Sequence, residues 1–85
     1  MEQKIFSIRD SKADYYTTPF FVKTMGEAER MFKDIIRDEK SQLNKHPEDF
    51  DLYYMGLYDD NTGKWTCLDI LQHMHKAIEF VETNT

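Results

Sequence analysis

Eighty-five residues with a formal charge of -5 and 40% hydrophobic content leave room for one modest domain, residues 1–85. The acidic balance argues against a protein that coats nucleic acid by charge neutralisation alone, and the lone Cys67 excludes an intrachain disulfide and makes a reducing compartment the simpler expectation. No apolar run approaches the roughly 18 residues of a membrane span, and no basic-then-apolar leader is present, so neither membrane insertion nor secretion is expected.

A chain of this size buries roughly 60–65% of the surface it exposes when unfolded, so pairing with a second copy is a ready way to bury more. The charge is uneven. Residues 1–24 carry a net +1, residues 25–50 a net -2 and residues 51–85 a net -4, so a polyanion would prefer the N-terminal third.

Lys4 to Arg9 alternates weakly and reads as a first strand with Phe6 and Ile8 on one face. Asp10 to Thr18 is polar apart from Tyr15 and Tyr16, and it ends at Pro19, which biases the residue before it toward extended geometry. It reads as a long loop. Phe20 to Lys23 is a short second strand running into a helix that starts at Thr24.

That helix is the firmest element. Thr24 can accept the N–H of Glu27 while Glu27 reaches back to Thr24, the reciprocal pair of a capping box. Ala28, Met31, Phe32, Ile35 and Ile36 then form an apolar stripe at helical period, with charged residues on the other side. Lys40 to Phe50 has no clean period. Pro47 suits the first turn of a short helix or 3-10 turn, and Leu43 and Phe50 should pin this connection to the core.

Asp51 to Ile70 reads as a hairpin turning at Asp59–Gly63, where Asp and Asn side chains can cap turn N–H groups and Gly63 can take a positive φ. Strict alternation groups Leu52, Tyr54, Gly56 and Tyr58 against Tyr53, Met55 and Leu57. Trp65 and Cys67 share a face of the return strand, opposite Thr66, Leu68 and Ile70. Gly56 in mid-strand suggests a bulge or a close neighbour. From Leu71, the spacing of Met74, Ala77, Ile78 and Val81 fits a second, shorter helix, with a last strand at Ala77–Val81 as the alternative. The expectation is an α+β fold: a small antiparallel sheet in the order β-β-α-β-β, then a short final helix, with one capped amphipathic helix packed on the sheet.

Little in the chain suggests catalysis. Three glycines give no phosphate loop, and Ser7, Ser11 and Ser41 have no Ser/His/Asp setting. His73 and His75 stand two apart, where a helical metal pair needs four. Asp59-Asp60-Asn61-x-Gly63 lacks the alternating ligands of a calcium loop and has Ile70 where the twelfth-position Glu belongs. Cys67 reads as a small buried core residue. A non-enzyme with no cofactor and no metal is expected.

One constellation points outward. Arg9, Lys12, Tyr15, Tyr16, Phe21 and Lys23, with Phe20 beside them, interleave rings with cations, as single-stranded nucleic acid requires: rings for bases to stack on and cations for phosphates. The competing reading places Phe20 and one tyrosine in the core and leaves the cations solvated. Lys40, Lys45 and His46 would extend such a surface.

The stretches KIFSIRDSKADYYTTPFFVKTMGEAERMF and KSQLNKHPEDFDLYYMGLYDDNTGKW carry a further signal. Their most specific parts are SKADYYTTPFFVKT, the HPEDF turn and the Y-D-D-x-T-G-K hairpin. Over about residues 4–65 the chain resembles the small nonstructural protein of the gokushoviruses, tailless bacteriophages with circular single-stranded DNA genomes. The resemblance implies a non-virion protein of the infected bacterial cytoplasm, in a family commonly labelled DNA-binding. It also implies action in the switch from double-stranded replication to single-stranded synthesis and packaging. It carries over no binding residues.

Two expectations follow. One is a single-stranded DNA-binding homodimer working through the N-terminal third. The other is an interaction module, self-associating or docked on a phage or host replication protein, which rests on the acidic C-terminal part and the aromatic hairpin. No membrane partner is expected.

Overall fold

A computed structural model describes residues 1–81. The sheet is built around strand β1, Glu2–Asp10. On one side β1 pairs antiparallel with β4, Phe50–Asp59, which forms a long hairpin with the edge strand β5, Lys64–Lys76. On its other side lie β2, Tyr15–Tyr16, and β3, Phe20–Val22, both antiparallel to β1. Helix α1, Met25–Arg37, a single-turn helix α2, Gln42–Lys45, and 3-10 turns at Pro47–Asp49 and Ala77–Phe80 complete the chain.

Phe6 and Ile8 share the face of β1 that meets the helix, and both are buried with Val22, Phe32, Ile36 and Leu52. On α1, the line Ala28, Phe32, Ile36 is buried at successive turns. Ile35 is half-buried, and Met31, expected in the same stripe, is exposed. Leu43 and Phe50 are buried in this core, as the sequence suggested. The cap of α1 differs in one detail. Thr24 Oγ1 accepts the Glu27 N–H at 3.1 Å, but the Glu27 carboxylate accepts from Lys23 N–H at 3.2 Å, one residue earlier than a capping box requires.

The segment after β1 is not a long loop. Asp10 accepts the N–H groups of Lys12 and Ala13 through Oδ1, and Asp14 takes a φ of 61°, a left-handed conformation that Asp tolerates. A tight turn results, and the chain comes back along β1. Tyr16 stands opposite Arg9, and Phe20 opposite Phe6, so the returning strand gains one residue relative to β1 between them. Thr17 fills the interruption: its N–H donates to Ile8 O at 2.8 Å, its Oγ1 accepts Ile8 N–H at 3.2 Å, and its carbonyl accepts the buried Ser7 hydroxyl at 2.7 Å. β2 and β3 thus behave as one bulged strand.

The expected final helix is absent. Residues 71–76 continue β5, and Ala77–Phe80 is a 3-10 turn. The helical spacing of Leu71, Met74 and Ala77 loses to pairing with β4. His73 then stands opposite Tyr53 and bonds Asp51 at 2.8 Å, while His75 stands opposite Leu52, near Glu29 and Glu79. The hydrogen bond to His75 holds the Glu79 carboxyl below its ordinary range. Cys67, expected in the core, is exposed, because β5 is an edge strand whose central residues are uncovered.

Strict alternation also fails in the hairpin. Gly56 pairs with Ile5 and Cys67, and the neighbouring residue Met55 is extra relative to β1. On β5, Leu68, Asp69, Ile70 and Leu71 stand opposite Met55 alone, so they bow out of the ladder and leave Ile70 86% exposed.

Candidate nucleic-acid interface

The two bulges flanking β1 decide which side chains share the face away from α1. Tyr16 and Phe21 are five residues apart and would point to opposite faces of a regular strand. The extra residue between them turns both to the same face, opposite Arg9 and Ile5. Tyr53 and Tyr58 are likewise five apart, and the extra Met55 brings them together opposite Ser7 and Gln3. Trp65 and His73 join them from β5, opposite Tyr58 and Tyr53.

The rings form two groups. Phe21, Tyr58 and Trp65 contact one another edge to face with centroids 5.2–5.7 Å apart. Tyr16 meets Tyr53 at 5.6 Å, and Tyr53 meets His73 at 5.3 Å. Because Phe21–Tyr58 and Tyr16–Tyr53 bridge across β1, they roof over Ile5 and Ser7, which are 1% and 0% exposed although they face away from the helix. Gly56 and Cys67 lie between the groups in the same register. Trp65 keeps 55% of its surface exposed, Tyr16 38% and Phe21 37%.

Charge gathers at one end. The Arg9 guanidinium lies 5.5 Å from the Tyr16 ring centroid and bonds Asp14 at 2.7 Å, which raises its already high pKa. Lys76 stands across from Asp51 on the same face, and Asp51 in turn stands across from Arg9.

The structure therefore gathers three of the residues read from sequence, Arg9, Tyr16 and Phe21, on one surface. Tyr15 is exposed but stands opposite Asp10, on the helix side of the sheet. Lys12 is at the tip of the Asp10–Asp14 turn, and Lys23 lies beyond the end of β3. Phe20 stacks on Phe6, half-buried against the core, as the competing reading had it, but neither Tyr15 nor Tyr16 joins it there. Lys45 and His46 belong to the α2 region, whose Leu43 packs in the helix-side core, so they do not extend this face. Tyr53, Tyr58, Trp65, His73 and Lys76 were missed. A partial signal for two of them was available: Tyr58 and Trp65 lie close to the Asp59–Gly63 turn on opposite strands, and the observed register, with Asp59 opposite Lys64, makes them a cross-strand pair.

Among the described residues, His46, Glu48 and Asp49 bring possible ligand atoms within 4.8 Å of one another on an exposed turn, an ordinary arrangement for acidic groups. No helix there is long and apolar enough to cross a membrane.

Fold and face together define a small α+β domain that displays a ring-lined sheet surface. Residues 3–80 match the family described as Phage ORF5 protein, and the chain belongs to that family. It is 35% identical over 74 residues to Protein ORF5 of Chlamydia phage 1, an alignment covering 81% of this chain and 76% of that protein. These matches bear out the resemblance to the small nonstructural protein of the gokushoviruses, to which that phage belongs. Neither the family nor the relative is described as an enzyme. No solved structure matches the chain.

Proposed function

We propose that this phage protein is a non-enzymatic single-stranded DNA-binding protein. In this reading it acts in viral genome replication, or in the switch to single-stranded synthesis and packaging, in the host bacterial cytoplasm. The observation that carries the reading is the collection of Tyr16, Phe21, Tyr53, Tyr58 and Trp65 on one sheet face, with Arg9 and Lys76 at one end. Bases of any sequence can stack on such rings, each stacked base contributing about 1–3 kcal/mol. In a chain of charge -5, stacking has to supply most of the affinity.

Two neighbours in sequence give the sharpest test. Tyr16→Ala should weaken binding of a labelled oligothymidylate by about 1–3 kcal/mol, and Tyr15→Ala, on the other side of the sheet, should leave it unchanged. Each phosphate neutralised adds about 0.7 to the salt slope of single-strand binding, so two cations predict a slope of log K against log salt of about -1.4. Equal losses in both variants, or a slope near that of a cationic track, would remove this face as the site.

A second reading rests on Ile70. An isoleucine exposed to 86% at the bulge of a strand that, among the described residues, ends the sheet is a candidate protein contact. In this reading the chain is a homodimer, or docks on a phage or host replication protein, without touching DNA. Sedimentation of the wild type should then show a dimer that Ile70→Lys converts to monomer. A monomeric wild type that binds oligothymidylate decides for the first reading.

A further inference from the structure

We infer that the ring-lined face holds a single strand at two separate stacking stations, with phosphate contacts at only one of them. This rests on the proposed binding of single-stranded DNA and adds the layout of its site. The first station is Phe21, Tyr58 and Trp65, and the second is Tyr16, Tyr53 and His73. Their positions are fixed by β1: Phe21 stands opposite Ile5 and Tyr16 opposite Arg9, four strand residues apart. At about 3.3 Å per residue the stations are about 13 Å apart.

The ground between them has little to offer a base. Ile5 and Ser7 are buried beneath the bridging rings, Gly56 has no side chain, and Cys67 is small. A fully stacked strand rises about 3.4 Å per nucleotide, so it needs about four steps to join the stations, and a more extended one needs fewer. The two ends also differ in the cations they present. Arg9, paired with Asp14, and Lys76, across from Asp51, flank the second station, whereas at the first Asp59 and Lys64 close the hairpin beside Tyr58 and Trp65 on the other face of the sheet. The second station should hold base and phosphate together, and the first should hold bases alone.

The chain's single tryptophan reports on the first station. Oligothymidylates of two to ten nucleotides would be titrated at low salt, with affinity read by anisotropy of an end label and occupancy of the first station by Trp65 fluorescence. Affinity should rise by roughly tenfold or more, the order contributed by one stacked base, as length passes from three to about five nucleotides, and then flatten. Tyr16→Ala and Arg9→Gln alter exposed or half-exposed groups and should leave the fold intact, as circular dichroism would verify. Each should abolish that step while an eight-nucleotide strand still quenches Trp65. A smooth rise with length, or loss of Trp65 quenching in Tyr16→Ala, would overturn the two-station layout while leaving DNA binding in place. Absence of binding at every length would instead remove the proposed function, and the layout with it.

Discussion

Gly56→Ala should lower the unfolding free energy by about 3–5 kcal/mol, measured by urea denaturation followed by circular dichroism. Two costs combine. Gly56 has a φ of 149°, a region that a residue with a Cβ rarely enters, and an added Cβ would lie 2.1 Å from the Thr66 carbonyl oxygen and 2.9 Å from Cys67 Cα. Both obstacles are backbone, so no side chain can swing aside, and β4 and β5 would have to part at this point. The same opening would displace Trp65 from Tyr58, and the ring face should suffer along with stability. Gly63 is the internal control. It also has a positive φ, 76°, but nothing lies within 4 Å of a Cβ built there. Gly63→Ala should therefore cost only the left-handed conformation, about 1–2 kcal/mol. Equal costs at the two glycines would mean that the close approach at Gly56 is not what the position requires.

Phe32→Ala should cost about 3–5 kcal/mol, a large part of the 5–15 kcal/mol that domains commonly have. Phe32 is fully buried, sits mid-helix on the line of Ala28 and Ile36, and meets the Phe80 ring at 6.0 Å. Its removal leaves a cavity between α1, the sheet and the Ala77–Phe80 turn, which a short chain has few spare side chains to fill. Met31, adjacent in sequence and 41% exposed, makes the comparison: Met31→Ala should cost less than about 1 kcal/mol in the same denaturation experiment. A Phe32→Ala protein as stable as Met31→Ala would contradict the placement of α1 on the sheet.

The contrast between these positions separates what was legible in the sequence from what was not. Helix α1 was readable because its determinants are local: Thr24 and Glu27 at the cap, and apolar residues recurring over three turns. The Asp59–Gly63 turn, the buried Leu43 and Phe50, and the special role of Gly56 were readable for the same reason. The face assignments were not. Alternation placed Tyr58 with Leu52 and Tyr54, whereas the extra Met55 places it with Tyr53. Gly56 marks that a bulge is near, but which neighbour is extra is set by the register against both β1 and β5, which the hairpin's own alternation does not reveal. The extra residue near Thr17 likewise decides which of two adjacent tyrosines shares a face with Phe21: simple alternation would choose Tyr15, six residues away, and the bulge chooses Tyr16. Residues 71–76 fit a helix by spacing and became strand because β4 had an edge to satisfy, which is again a demand set at a distance.

The central place of β1 has a further consequence for how the protein is made. Its ladder with β4 joins Glu2 to Asp59 and Asp10 to Phe50, so β1 waits for a strand made much later in the chain. Until translation delivers that partner, Ile5, Phe6 and Ile8 can lean only on the short return strand through Val22 and on the helix after it. The nascent chain therefore carries an apolar strand with one edge uncovered until β4 follows, the kind of transient surface that promotes association between incompletely folded chains.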